Sequence, residues 1–283
     1  MKILNEPKEL QRLAETIRLQ EKRIGFVPTM GALHDGHLSL VKIAKQRADV
    51  VMVSVFVNPL QFGKNEDFER YPRPFERDVE LARLAGADIL FAPSAAALYG
   101  EGFQTFVEVR EISKGFEGDV RPTHFRGVAT VVLKLLNLAK PHVAVFGEKD
   151  AQQLALVRRM VADLNLDVEI VGAPIVREPD GLAMSSRNVY LSAEERREAT
   201  ILYRALQEAK RALESGERNP DALKRLVVAT ISSVPIATLD YAEIVCAEDF
   251  SPTPALQSGK TYFLILAARF GKTRLLDNLR FSL

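Results

Sequence analysis

The 283-residue sequence has few features of a secreted or membrane protein. It contains one cysteine, Cys246, so no intramolecular disulfide can form and a reducing compartment is expected. No apolar run is long enough to span a membrane, and the first 20 residues mix charged and apolar types, which is not typical of a signal peptide. We therefore expect a cytoplasmic protein.

The sequence also lacks an excess of charge of either sign. It has 38 basic and 37 acidic residues, which gives a net charge of +1, and the signs alternate along the chain. Nucleic acids and acidic membranes are usually bound by clustered basic residues. The composition therefore predicts neither of these partners and favours small molecules as ligands.

The first two thirds of the chain have the pattern of an α/β fold. Short β-branched segments alternate with amphipathic helical stretches, as in a parallel sheet covered by helices. Residues 50–57 are almost continuously apolar, which indicates a central strand buried on both faces. Further strands are predicted at residues 24–28, 89–92, 143–146 and 168–171, and helices at residues 38–47, 75–84, 128–138 and 151–164. We expect a Rossmann-like, doubly wound parallel sheet.

After residue 175 the pattern changes to helices followed by strands. Helices are predicted at residues 193–215 and 221–233, and strands at residues 240–246, 261–267 and 273–276. This order is typical of an α+β domain. We therefore predict two domains, residues 1–175 and a smaller domain at residues 176–283 that closes over the site of the first.

The main candidate site lies at residues 26–37, where a predicted strand leads through a glycine-containing loop into a helix. If Asp35 is the N-cap of that helix, His34 and His37 emerge on one side of its first turn. The unused backbone N–H groups and the positive end of the helix dipole favour an anion there. Gly36 has no Cβ, so an adenine or ribose could lie against the backbone.

Two other interpretations of these residues remain open. The histidines could belong to a metal site, although only His124 and His142 remain and no cysteine or carboxylate cluster has ligand spacing. The glycines could be simple turn residues. The histidine pair, the glycine and the strand-to-helix context together favour a site for a phosphate chain.

Three more segments suit phosphates or a small polar substrate. Residues 145–153 place Lys149 after a strand, and residues 181–188 combine Ser185, Ser186 and Arg187. Residues 57–63 place Gln61 beside apolar surface, which suits a small hydroxylated substrate. Taken alone, each segment is also typical of an ordinary polar turn.

Two common mechanisms are disfavoured. The sequence before Gly271 has Leu266 where a Walker A loop requires glycine, which argues against a P-loop kinase. The candidate segments also contain no nucleophile with its own base, so covalent catalysis by the protein is not expected.

In this order, the segments resemble the pantothenate synthetase family, the pantoate:β-alanine ligases of the nucleotidylyltransferase superfamily. The resemblance covers nearly the whole chain and rests on residues 28–37, 56–62, 71–73, 124–128, 146–153 and 180–188. The His-x-Gly-His motif at residues 34–37 marks only the superfamily, which includes class I aminoacyl-tRNA synthetases. The ordered set of segments is specific to the family.

The resemblance implies a two-step, Mg²⁺-dependent reaction in a homodimer. The carboxylate of (R)-pantoate attacks the α-phosphate of ATP, and β-alanine then attacks the pantoyl adenylate, which yields pantothenate, the precursor of coenzyme A, with AMP and diphosphate. It implies that Gln61, Gln153 and Asn58 bind pantoate and β-alanine. Catalysis is assigned to His37 as proton donor, with His34, Lys149, Ser185 and Arg187. The implied ATP contacts are Met30, Gly31, Ala32, Leu33, His34, Asp35, Gly36, His37, Gly147, Glu148, Lys149, Asp150, Val176, Met184, Ser185, Ser186 and Arg187.

The chain departs from the family after residues 71–73. Family members often have threonine or serine at the next position and several acidic residues beyond it, whereas this chain has Pro74 and then only Glu76 and Asp78 around Arg77. Asp78 is the candidate protein ligand of Mg²⁺. The alternative is that ATP phosphates and water hold the metal.

Two rival functions remain. Another adenylyl-transferring enzyme would keep His34 and His37 but would not need Gln61 and Gln153. A non-catalytic ATP-sensing module would not need His37, Lys149 and Arg187.

Overall fold

The computed structural model describes residues 1–64 and 66–283. The chain divides into two compact units. The first consists of residues 1–148 and 152–174, and the second of residues 149–151 and 175–283. Within the described ranges, no helix combines the length and apolar character needed to cross a membrane.

A six-stranded parallel sheet forms the centre of the first unit. Its strands are β1 (Lys2–Leu4), β2 (Ile24–Thr29), β3 (Val50–Val55), β4 (Ile89–Phe91), β5 (Val143–Gly147) and β6 (Glu169–Ala173). They lie in the order β1-β4-β3-β2-β5-β6, so the chain reverses direction across the sheet between β2 and β5. Ligands of α/β sheets bind at the carboxyl ends of the strands beside such a reversal.

Helices cover both faces of this sheet. The helices in this part of the chain are α1 (Pro7–Leu19), α2 (Asp35–Lys45), α3 (Phe75–Leu84), α4 (Ala95–Leu98), α5 (Glu117–Val120), α6 (His124–Ala139) and α7 (Ala151–Asp163). Val27 and Val53 pack with Leu40 of α2 in one buried cluster. Successive strand residues point to opposite faces, so the buried Phe26 and Met52 face the other side, where α1 and α6 contact β2.

The second unit combines helices with an antiparallel sheet. Its elements are α8 (Ala193–Glu198), α9 (Ile201–Glu214), α10 (Pro220–Ser232), β7 (Ala237–Cys246), β8 (Thr261–Phe270) and β9 (Thr273–Ser282). The strands pair in the order β7-β8-β9. Leu206 of α9, Val227 of α10 and Leu264 of β8 share one buried cluster. The predicted fold class, a doubly wound parallel sheet with an α+β C-terminal part, is confirmed.

The structure differs from the predicted elements where local patterns are short or interrupted. The sequence analysis missed β1, which is too short to show a periodic pattern. The helix predicted at residues 193–215 is two helices, broken where the Thr200 hydroxyl donates to the carbonyl oxygen of Arg197 at 2.9 Å. The last strand extends to Ser282, past Asp277 and Asn278, whose polar side chains ended the predicted strand although both are buried.

Candidate active site

The two histidines of the His-x-Gly-His motif cap the start of α2. His34 is the N-cap, and its Nδ1 accepts a hydrogen bond from the N–H of Gly36 at 3.2 Å. The Nδ1 of His37 accepts in turn from the N–H of His34 at 3.3 Å. The two imidazole rings lie close together, with their centroids 4.1 Å apart. The prediction that Asp35 is the N-cap was wrong, because Asp35 is the first helical residue.

This capping determines which ring nitrogen of each histidine carries the proton. A backbone N–H can only donate, so each Nδ1 must present its lone pair and each neutral ring carries its proton on Nε2. The backbone N–H groups of His34 and Gly36 are therefore paired with the two imidazoles. The expectation that an anion binds at this helix start stays a prediction, and the imidazoles add Nε2–H donors at its positive end.

Asp78, at the start of α3, holds the loop that precedes these histidines. Its Oδ2 accepts from the N–H of Ala32 at 2.9 Å, and its Oδ1 accepts from the N–H of Leu33 at 2.7 Å. The side chain is buried, and burial raises the pKa of the Asp78 carboxyl above its ordinary value, although the two N–H donors oppose this effect. Asp78 thus holds the loop through hydrogen bonds to both of its carboxylate oxygens.

The loop needs glycine at position 31. Gly31 has a φ of +81°, and a Cβ at this position would lie 2.8 Å from Asp78 Oδ2 and 2.9 Å from Val55 Cγ1. Ala32 also has a positive φ, +50°. Larger side chains would push the loop away from the carboxylate that holds it, so the conformation and the Asp78 contacts depend on each other.

The turn after β3 presents Gln61. Residues Pro59–Gln61 form a 3-10 turn, and the Asn58 side chain caps it by accepting from the N–H of Leu60 at 3.2 Å. Asn58 Nδ2 donates to Gln61 Oε1 at 3.1 Å and to the carbonyl oxygen of Gly127 at 3.1 Å. Gln61 Nε2 lies 2.9 Å from Met30 Sδ. The structure thus brings the segment predicted to bind pantoate next to the loop predicted to bind ATP.

The backbone of the same turn is held by cationic and imidazole groups. His124 Nδ1 lies 3.0 Å from the carbonyl oxygen of Gln61, so this nitrogen carries the proton that it donates. Arg121 donates to the same oxygen at 3.2 Å and forms an ion pair with Glu66 at 2.5 Å. Burial works to raise the pKa of Glu66, but its hydrogen bond to Arg121 and the charge of that residue outweigh burial, so the pKa lies below its ordinary value.

The two adjacent glutamines at the start of α7 have different surroundings. The Gln152 side chain is buried, where it donates to the carbonyl oxygens of Ile112 and Lys114 at 2.9 and 3.2 Å and accepts from the N–H of Glu117 at 3.1 Å. Gln152 therefore holds the segment before α5. Gln153, the predicted substrate contact, is half-buried.

In the second unit, the predicted phosphate-binding serines and arginine follow a small hairpin. Arg177 pairs with Ala183 across the hairpin, and the N–H of Met184 donates to the carbonyl oxygen of Val176 at 3.0 Å. Arg177 also forms two hydrogen bonds to the buried carboxylate of Asp277, at 2.6 and 2.9 Å. These contacts fix the hairpin to β9.

A 3-10 turn, Ser186–Tyr190, continues from this hairpin. Ser185 caps it, because its Oγ accepts from the N–H of Arg187 at 3.3 Å. Asn188 anchors the turn by donating to Glu178 Oε1 at 2.8 Å and to the carbonyl oxygen of Ala183 at 3.2 Å. The turn thus places Ser185, Ser186 and Arg187 on adjacent, hydrogen-bonded backbone.

Residues Glu148–Asp150 form a short 3-10 turn between β5 and α7. The carbonyl oxygen of Lys149 accepts from Asn278 Nδ2 at 3.0 Å, which ties this residue to β9 within the second unit. Lys149 Nζ lies 4.0 Å from Asp150 Oδ1, and the lysine side chain is 21% exposed. The lysine side chain is therefore partly exposed, and an ammonium group is suited to binding a phosphate.

The sequence analysis missed several residues that hold this site. Tyr99, whose hydroxyl donates to Asn58 Oδ1 at 2.7 Å, and Arg121 were not named there, and Asp78 was named only as a candidate metal ligand. His124 and Gly127 lay in a segment that carried the family resemblance but had no role. Gly127 allows α6 to approach the turn after β3, because a Cβ there would lie 2.2 Å from the carbonyl oxygen of Leu60.

The described residues, 1–64 and 66–283, contain no group of three or more histidine, cysteine or carboxylate side chains that could hold a metal ion. This includes the surroundings of Asp78, whose two oxygens accept backbone hydrogen bonds.

Comparison with known proteins gives one consistent result. A family model described as pantoate-beta-alanine ligase matches residues 2–280. The pantothenate synthetase of Chloroherpeton thalassium is 58% identical over 284 residues, with 100% of both chains covered. The crystal structure of pantothenate synthetase from Thermus thermophilus matches with a TM-score of 0.92 and 48% identity, over 99% of both chains. The pantoate-beta-alanine ligase of Francisella tularensis, crystallised with beta-gamma ATP and beta-alanine, matches with a TM-score of 0.79 and 35% identity, over 99% of this chain and 97% of the other.

Proposed function

The chain belongs to the pantoate-beta-alanine ligase family, and we propose which of its residues carry out the ATP-dependent ligation of pantoate with β-alanine. The observation that supports the assignment most strongly is the capped histidine pair at the start of α2, whose Nε2–H donors suit a phosphate chain. It lies at the carboxyl end of β2, beside the reversal in strand order where α/β sheets bind nucleotides.

We assign the binding of ATP to the segments that the family resemblance implies. Residues 30–37 contact the nucleotide, and the imidazoles of His34 and His37 donate to its phosphates. Further contacts come from residues 147–150, where the chain leaves β5, and from Val176 and residues 184–187. Lys149, Ser185 and Arg187 supply the charge and hydroxyl donors that phosphate oxygens accept. Closure of the C-terminal unit over the site stays a prediction.

We assign pantoate to Gln61 and Gln153. Gln61 is buried, its Oε1 is occupied by Asn58, and its Nε2 lies on the side of Met30. The predicted substrate contact of Asn58 is disfavoured, because the residue is only 1% exposed and its side-chain amide already makes four internal hydrogen bonds. Asn58 holds Gln61 instead.

The reaction proceeds in two substitutions. A carboxylate oxygen of pantoate attacks the α-phosphorus of ATP, the bond from that phosphorus to the bridging oxygen breaks, and pyrophosphate leaves. The amine of β-alanine then attacks the acyl carbon of the pantoyl adenylate, the carbon–oxygen bond to AMP breaks, and the amine loses a proton. AMP therefore keeps one oxygen from pantoate. Positioned donors, and no protein nucleophile, stabilise the charge that develops on the phosphates, with His37 as the proton donor to the leaving group.

Mg²⁺ is expected to enter with ATP, held mainly by phosphate oxygens and water, and to neutralise part of the phosphate charge. Asp78 as a protein ligand stays a prediction. Its hydrogen bonds to Ala32 and Leu33 favour a different role, in which it positions the loop before His34.

The test is to incubate the protein with ATP, Mg²⁺, β-alanine and pantoate whose carboxylate is labelled with ¹⁸O. The expected products are pantothenate, pyrophosphate and AMP that carries one ¹⁸O atom. Formation of ADP, AMP without label, or turnover that does not need pantoate would contradict the proposed reaction.

We also propose that the protein works in the cytoplasm as a homodimer. The single cysteine fits a reducing compartment, and the dimer follows from the family resemblance alone. Sedimentation equilibrium of the purified protein tests the second point, since a mass near 31.5 kDa would indicate a monomer.

A further inference from the structure

The orientation of the Gln61 side-chain amide can be inferred from a chain of hydrogen bonds that includes two backbone groups. An amide can turn over and exchange its oxygen and nitrogen, so its direction must be inferred from partners whose roles are fixed. A backbone N–H can only donate, and a backbone carbonyl can only accept. Two such groups contact Asn58, the neighbour of Gln61.

Asn58 has one possible orientation. The N–H of Leu60 lies 3.2 Å from one end of its amide, which must therefore be Oδ1. The carbonyl oxygen of Gly127 lies 3.1 Å from the other end, which must be Nδ2. The Tyr99 hydroxyl lies 2.7 Å from Oδ1 and therefore donates to it.

The orientation of Asn58 determines that of Gln61. The second N–H of Asn58 Nδ2 is directed at an atom of Gln61 at 3.1 Å, and this atom must be the acceptor Oε1. The nitrogen Nε2 then lies on the other side of the amide, 2.9 Å from the weak acceptor Met30 Sδ. Gln61 therefore presents N–H donors on the side of the Met30 loop.

The Tyr99 ring is well placed to maintain this arrangement. It packs edge-on against Phe103, with ring centroids 5.0 Å apart, and at 6.1 Å from Phe56, which follows β3. Burial raises the pKa of the Tyr99 hydroxyl, so the group stays protonated and keeps its role as a donor at any pH at which the enzyme works.

We propose that Tyr99 is a positioning residue that, through Asn58, holds Gln61 as a hydrogen-bond donor to an oxygen of bound pantoate. The inference rests on the proposed function, in which Gln61 binds pantoate. The polar groups of pantoate are a carboxylate and hydroxyls, so every one of them can accept from an N–H. A carbonyl oxygen in the place of that N–H would repel the carboxylate and could bind only a hydroxyl.

The first test is Tyr99→Phe, which keeps the ring and removes the donor. We expect the KM for pantoate to rise about 2- to 10-fold, as for the loss of one hydrogen bond, while the KM for ATP stays unchanged. The matched control is Tyr262→Phe in the second unit. It removes a buried hydroxyl that accepts from the N–H of Gln257 at 2.8 Å, and it is expected to leave the KM for pantoate unchanged.

The second test is Asn58→Asp, which keeps the shape of the side chain and replaces its donor by an acceptor. At neutral pH, Gln61 is then expected to turn over and present its carbonyl oxygen, and the KM for pantoate should rise by more than in Tyr99→Phe. Protonation of the introduced carboxyl at lower pH restores a donor. The ratio of the variant KM to the wild-type KM should therefore fall as the pH is lowered, whereas a loss of packing would leave this ratio independent of pH.

Gln61→Ala distinguishes a failure of the Gln61 assignment from a failure of the positioning role of Tyr99 and Asn58. If it leaves the KM for pantoate unchanged, the assignment of Gln61 in the proposed function fails. If it raises this KM while Tyr99→Phe does not, or while the ratio for Asn58→Asp is independent of pH, the positioning role of Tyr99 and Asn58 is overturned. Thermal unfolding of each variant checks that the fold is kept.

Discussion

Two neighbouring loops leave the carboxyl ends of β2 and β3, and opposite kinds of group hold them in place. A carboxylate, Asp78, accepts from the backbone N–H groups of the loop after β2. Donors hold the turn after β3, since Arg121 and His124 contact the carbonyl oxygen of Gln61. In both loops several backbone groups are already paired, and we assign the contacts with the substrates mainly to side chains.

The difference matches the proposed ligands. The loop after β2 presents two imidazoles whose Nε2–H groups suit a phosphate chain. Both imidazoles lie at the amino end of α2, where the helix dipole is positive. The turn after β3 presents one neutral amide, which suits a small acid with hydroxyl groups. We infer that the first loop acts mainly on charge that develops in the reaction, and the second mainly on recognition of pantoate.

The largest expected effect is that of His37→Ala in the loop after β2. Removal of one positioned donor to the developing phosphate charge should lower turnover about 10²-fold or more. The measurement is the steady-state rate at saturating substrates. The matched control is His142→Ala, because His142 Nδ1 also accepts a backbone N–H, from Ile24 at 2.9 Å, at the amino end of β2. Unchanged turnover in His37→Ala would remove this residue from the mechanism.

A smaller effect is expected for Asp78→Asn. The new N–H₂ group would face the backbone N–H of Ala32 or Leu33, leave a donor unsatisfied, and shift the loop that positions His34. We expect turnover to fall about 10-fold or more, because small displacements of catalytic groups are costly. Asp88→Asn is the control, since Asp88 also accepts a backbone N–H, from Val51 at 2.9 Å, near the amino end of β3. If both variants lose the same activity, the loss of turnover in Asp78→Asn is not caused by displacement of the loop before His34.

The smallest effect is expected for Glu66→Gln, because Glu66 reaches the turn after β3 only through its ion pair with Arg121. Glu66 has its pKa lowered from an ordinary value of 4.5, so its ion pair stabilises the fold above that value, and the contribution is lost as the pH falls through the lower, folded-state pKa. At neutral pH we expect the variant to lose about 1 kcal/mol of unfolding free energy. Urea unfolding at several pH values measures this.

The difference between Glu66→Gln and wild type should shrink as the medium becomes acidic. Glu111→Gln serves as the control, because Glu111 pairs with Lys114 on the surface, where both side chains are more than half exposed. A difference for Glu66→Gln that stays constant from neutral to acid pH would contradict the assigned role of the ion pair.

The sequence predicts features that depend on near neighbours better than features that depend on distant ones. The apolar run at residues 50–57 indicates a buried strand because burial on both faces imposes that composition, and β3 occupies most of it. The pairing of His34 with His37 follows from their spacing of three residues at the start of a helix. Both features could be inferred from a dozen residues.

The contacts that hold the site could not be inferred in this way. Asp78 reaches Ala32 across 46 positions, and Tyr99 reaches Asn58 across 41. Only the fold brings these residues together. The choice between Gln152 and Gln153 depends on the rotation of α7, since adjacent residues on a helix point about 100° apart. The family resemblance, and not the spacing, selected Gln153.

The division of work between the two loops is tested most directly by exchange of labelled pyrophosphate into ATP, in the presence of pantoate and the absence of β-alanine. This half-reaction isolates attack at the α-phosphate. We expect His37→Ala to lower the maximal exchange rate and leave the KM for pantoate nearly unchanged, and Gln61→Ala to raise that KM and leave most of the maximal rate. Exchange without pantoate, or the same change in both parameters for the two variants, would contradict the account.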